Sequence, residues 1–82
     1  MKKTPIDVKI LAAPGAALDE TAKRVWAWAE RARCPIALEQ IQDPRQIAFF
    51  GAPATPAVIV GGLLVSTGVV PEGRAIQGWL RP

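Results

Sequence analysis

Ile6, Val8 and Ile10 alternate with Asp7 and Lys9, and Leu11 follows, a period of two that predicts a half-buried strand. Ala12-Ala13-Pro14-Gly15 breaks it. From Ala17 to Arg33 the period becomes helical: Leu18, Ala22, Val25, Ala29 and Ala32 recur at spacings of three and four and form one apolar stripe. Asp19 and Glu20 in the first turn and Arg31 and Arg33 in the last match the helix dipole. Cys34-Pro35 ends the helix. Ile36 to Ile41 reads as a second strand, with Ile36 and Leu38 on one face and Ala37 and Ile41 on the other. Asp43 is a helix N-cap, Pro44 a first-turn proline and Gly51 a C′ residue, which predicts a short helix between them. Ala57 to Val60 and Leu63 to Thr67 flank Gly61-Gly62, a two-residue hairpin signal. Beyond Gly68 and Pro71, Ile76, Trp79 and Leu80 predict a last amphipathic turn or two. Gly73 and Gly78 weaken that helix by about 1 kcal/mol each relative to Ala.

The predicted order is β-α-β-α-β-β-α within one domain spanning residues 1–82. Two βα units call for a parallel strand pair, and the hairpin adds antiparallel strands. The expected architecture is α/β, a mixed four-stranded sheet flanked by helices.

Composition narrows the chemistry. Leu, Ile, Val and Phe supply 22 of 82 residues, enough for one modest core. The net charge of +3 is ordinary, and the basic residues form no stripe, so a nucleic-acid partner is not expected. The chain has no His, no Tyr and one cysteine, Cys34. That inventory excludes an intramolecular disulfide, a His-based triad, a His-ligated haem and a zinc site, and no metal or cofactor is expected. Asp7 and Lys9 interrupt any secretory apolar run near Met1-Lys2-Lys3, and the most apolar stretch, Ala57 to Val65, is about half a membrane span. A cytoplasmic protein without membrane association is the expectation.

Ala54-Thr55-Pro56 entering an apolar strand, then Gly61-Gly62 and a second strand ending at Gly68, resembles the thioredoxin fold. The nearest likeness is to the small thioredoxin-like proteins of archaea and bacteria often called redox-active disulfide protein 2. It runs from about Val8 to Leu80 and includes the Gly-Val-Val-Pro segment before the last helix. The resemblance implies a cis Thr55-Pro56 bond and a ligand groove formed by Ala54, Thr55 and Pro56 facing Pro14. It also implies a Cys-x-x-Cys motif where the first strand meets the first helix. A gapless register puts Gly15 and Leu18 at those two positions. A register shifted by two puts Ala13 and Ala16 there, as though a Cys-Pro-Gly-Cys motif had lost both thiols, naturally or by replacement. Neither register contains sulfur, and dithiol exchange needs an attacking thiolate and a resolving thiol. The expectation is a redox-inactive binding or adaptor module for a protein or peptide partner. The alternative is a thiol–disulfide oxidoreductase, through Cys34 or in a parent sequence whose cysteines were replaced.

Each candidate has a functional and a structural reading. Cys34 is either a monothiol nucleophile or a small hydrophobe at a helix–strand junction. Thr55-Pro56 either leaves backbone groups free for a partner strand or serves only the turn into the third strand. The amides near Gly15 to Leu18 either hold an anion or are satisfied by Asp19 and Glu20. On a helical wheel Trp26 flanks the apolar stripe and is expected to be mostly buried. Trp28 lies about 100° away with Arg24 and Arg31, and is expected either as an exposed interface anchor or as a ring under the arginine stems.

Overall fold

In the computed structural model, which describes residues 4–81, the alternation of β1 (Ile6–Leu11) sorts its side chains between two apolar clusters. Val8 and Ile10 enter one, together with Leu18, Ala22, Val25 and Ala29 of α1 (Ala16–Arg31) and Ile76 and Leu80 from the C-terminal segment. Leu11 enters the other with Ile41, Ala57 and Ile59, covered by Ile47 and Ala52. Period two therefore produces a two-faced sheet, with helices on both sides.

The remaining elements are β2 (Ile36–Ile41), α2 (Pro44–Phe49), β3 (Ala57–Val60), β4 (Leu63–Thr67) and α3 (Gly73–Trp79). The sheet order is β2-β1-β3-β4, with β1 parallel to β2 and antiparallel to β3, and β3 antiparallel to β4. This is the expected mixed four-stranded α/β architecture in the expected element order. Gly61 and Gly62 both have positive φ (57° and 85°), as a tight two-residue hairpin between Val60 and Leu63 requires. Asp43 caps α2 by accepting a hydrogen bond from the Arg45 amide at 2.9 Å, with Pro44 opening the helix.

Two expectations about α1 are corrected. The helix ends at Arg31, and Ala32 is its exposed C-cap rather than a stripe residue. The stop is a Schellman motif: the Cys34 amide donates to the Ala29 carbonyl at 2.9 Å and the Arg33 amide to the Glu30 carbonyl at 3.1 Å. Arg33 occupies the left-handed position at φ 51°, where glycine is usual.

For the tryptophans, the expectation for Trp26 is corrected, and of the two readings of Trp28 the ring under an arginine is the one observed. Trp26 is 48% exposed, whereas Trp28 is half-buried against the core under the Arg31 guanidinium, 4.6 Å from its ring centroid. Both rings flank the stripe, on opposite sides. α3 lies over the flank that holds Trp28, so closely that a Cβ on Gly73 would stand 2.5 Å from Trp28 Nε1. On the other flank Trp26 lines a cleft with Cys34, Pro35 and Ile36 and stays about half exposed.

Candidate functional site

Strand register brings the candidate residues to one end of the sheet. Leu11 pairs with Ile41 on one side and with Ala57 on the other, and Ala57 pairs with Thr67. The loops at residues 12–15, 53–56 and 68–71 therefore leave from the same edge. Ala12 is buried and its amide extends the parallel ladder to the Ile41 carbonyl at 3.1 Å, which ties the start of the first loop to the end of β2.

The Thr55–Pro56 bond is cis. Pro56 is buried, and its carbonyl accepts from the Gly68 amide at 2.9 Å, while Ala54 and Thr55 remain exposed. Among the described residues, the Thr55 backbone forms no hydrogen bond to the rest of the chain. Gly68 has φ +78°, a conformation that favours glycine, and a Cβ there would crowd the Ala54 Cβ at 3.3 Å.

Opposite, Ala13, Pro14, Gly15 and Ala16 are exposed and Leu18 is buried in the core. Gly15 is the N-cap of α1, at φ 155° and ψ −171°, a region open almost only to glycine. No side chain caps the helix. Asp19 stands in the first turn, but Glu20 is drawn away by Arg24, whose Nε donates to its Oε2 at 2.8 Å. That hydrogen bond holds the Glu20 carboxyl below the usual glutamate range, with burial opposing and the charge of Arg24 assisting. Satisfaction of the N-terminus by both acidic residues is thereby corrected: Glu20 serves a different partner.

Arg24 also donates from Nη1 to the Pro71 carbonyl at 2.9 Å, fastening the third loop to α1. Gly68 joins that loop to Pro56, so the site has a bracing line from Glu20 through Arg24 and Pro71 to the Pro56 loop. Gly68 and Pro71 look like ordinary breakers in the sequence, and Arg24 like a neighbour of Trp28. Their pairing across 47 positions has no local signal.

Cys34 lies elsewhere. It precedes β2 at the opposite sheet end, where the Ile6 amide donates to the Pro35 carbonyl at 3.0 Å. Five strand steps, about 17 Å, separate the two ends. Its half-buried side chain packs on the main core with Ala29, the residue its own amide caps. This is the hydrophobic contact that accompanies a Schellman motif. A broad cleft of about 680 Å³ opens beside it, between Trp26, Glu30, Arg33 and Ile36. No helix among the described residues is long and apolar enough to cross a membrane.

The family profile described as the thioredoxin domain matches residues 6–81. The comparison with curated proteins finds no match.

Proposed function

The chain belongs to the thioredoxin domain family, and from that premise we propose that it is a redox-inactive member which captures an extended segment of a partner protein at the Pro56 loop. The observation that carries this reading is the Thr55 backbone, exposed and without a hydrogen bond to the described residues, beside a buried proline. An extended segment running past Thr55 satisfies that backbone by adding as a short antiparallel strand, while its side chains rest against Pro14 and Ala54. Residues 46–71 contain no Asp, Glu, Lys or Arg, so the pocket favours an uncharged segment. Loss of dithiol exchange follows from chemistry. Exchange through a dithiol needs a second sulfur, and Cys34 is the chain's one cysteine. Gly15 and Leu18, or Ala13 and Ala16 in the shifted register, cannot supply a thiolate.

The competing reading, thiol–disulfide exchange through Cys34, receives some support from its partial exposure beside the cleft. An insulin-reduction assay with a thiol reductant separates the two. No turnover above reductant alone is expected, and turnover at rates typical of thioredoxins overturns redox inactivity. Capture is tested by pull-down from native extract with wild type and Pro56→Ala, the variant first being checked for a native far-UV spectrum. Partners retained by wild type and lost by the folded variant support the groove. Equal retention by both moves capture away from Pro56.

A further inference from the structure

We propose that the recess between α2 and β2 takes an arginine side chain of a partner protein, its guanidinium stacked on a phenylalanine ring and paired with the Glu39 carboxylate. This inference does not rest on the Pro56 reading.

The recess has a volume of about 240 Å³ and is lined by Glu39, Ile41, Gln46, Phe49 and Phe50. Ile41 is buried in the second apolar cluster, which Ile47 of α2 covers. Phe49 and Phe50 do not join that cluster. Phe49 is 87% exposed and Phe50 38%, and their rings meet edge to face with centroids 6.0 Å apart. An edge-to-face contact occupies a face of only one ring, so aromatic surface stays open at the recess. Two phenylalanines that leave the core unfilled and stand together in water mark a binding surface.

Charge selects the occupant. Glu39 lies two residues before Ile41 and shares its face of β2. Its partner across the parallel pair is Lys9, but the Lys9 ammonium is held by Asp7, and Glu39 forms no ion pair among the described residues. No basic side chain lines the recess. An apolar occupant would strip water from the carboxylate and leave it without a partner, and an anion would be repelled. A cation satisfies Glu39 and is drawn to the ring faces as well. Of the two cationic side chains, arginine suits the site better than lysine. Its planar guanidinium lies flat on a ring while its N–H fork meets a carboxylate, and it is less strongly hydrated than an ammonium. The volume lies below the about 300–1,000 Å³ of small-molecule pockets, which fits one side chain rather than a whole ligand.

Amide shifts of the isotope-labelled chain, titrated with acetyl-Gly-Arg-Gly-amide, test this. Parallel titrations use the same peptide with citrulline, norleucine or lysine in place of arginine, and free L-arginine. Saturable shifts at Glu39, Gln46, Phe49 and Phe50 are expected, with a dissociation constant on the order of millimolar for a single side chain. Citrulline keeps the shape of arginine without its charge, and the citrulline and norleucine peptides are expected to bind at least roughly tenfold more weakly. Glu39→Gln is expected to weaken the arginine peptide by roughly fivefold or more, and Phe49→Leu by about 2–5-fold. Both positions are exposed, so both variants keep the fold, which unchanged shifts in the rest of the chain verify. Absence of saturable shifts at the recess overturns the proposal, as does either variant binding like wild type. Equal binding of the citrulline or norleucine peptide makes the recess a merely apolar groove, and equal or tighter binding of the lysine peptide removes the choice of arginine. Free L-arginine binding more tightly than the blocked peptide makes the ligand a small molecule and overturns the assignment to a partner protein.

Discussion

Replacing Gly73 by Ala sets helix propensity against packing. In an exposed helix interior, Ala is better than Gly by about 1 kcal/mol. Gly73 is the first residue of α3, where part of that gain applies. The new methyl carbon would lie 2.5 Å from Nε1 of Trp28 and 2.9 Å from both Cε2 and Cζ2, where carbon contacts ordinarily rest near ~3.5–4 Å. The indole must move, yet it is half-buried against the core and sits under the Arg31 guanidinium. Overpacking of this kind costs about 1–3 kcal/mol, so the net expectation is a loss of roughly 1–2 kcal/mol after the propensity gain. With a urea slope of about 1 kcal/mol/M for so small a domain, the midpoint falls by roughly 1–2 M. Far-UV circular dichroism follows unfolding without relying on the altered tryptophan. The same substitution in a Trp28→Leu background removes the obstructing ring, so there Gly73→Ala is expected to be neutral or stabilising by up to about 1 kcal/mol. A raised midpoint for the single variant, or equal losses in both backgrounds, refutes the close approach of α3 to Trp28.

Leu18→Cys removes buried volume at the start of α1 and is expected to cost roughly 1–3 kcal/mol under reducing conditions. Adding Gly15→Cys costs about 1–3 kcal/mol more, because φ 155° disfavours a Cβ. Urea unfolding of the reduced double variant checks both, and an unchanged midpoint removes Leu18 from the core. Arg33→Gly is expected to stabilise by about 0.5–1 kcal/mol, read as a higher thermal midpoint, since Arg33 holds the left-handed C′ position of the Schellman motif. Glu20 has a depressed folded-state pKa, so its contribution is present above the ordinary glutamate range and disappears as pH falls through the folded value. Acid titration of stability in wild type and Glu20→Gln should therefore diverge above pH about 4 and converge below it. Curves separated by a constant offset at every pH would show that the ion pair with Arg24 contributes nothing.

Local pattern was enough for every element and most of its apolar face. The alternation of Ile6 to Leu11, the stripe of Leu18, Ala22, Val25 and Ala29, the Asp43-Pro44 start and the Gly61-Gly62 hairpin each depend on neighbours within a few positions, which a sequence displays directly. The end of α1 was read only in part. Cys34-Pro35 signalled a stop, but a Schellman turn with arginine in the glycine position is not suggested by composition, and it made Ala32 look like core.

Tertiary structure decided which surface near each element is covered. Trp26 and Trp28 lie on opposite flanks of the same stripe, and neither the wheel nor the arginines beside Trp28 say which flank a later element covers. α3, drawn in by the burial of Ile76 and Leu80, lands on one flank and shelters Trp28, leaving Trp26 about half exposed. The site has the same origin. Thr55-Pro56 was legible as a short motif, whereas the Gly68 amide on Pro56 and the Arg24 fastening of Pro71 join segments far apart in the chain. Periodicity records how a residue relates to the axis of its own helix or strand, and these contacts depend on how those axes are placed against one another.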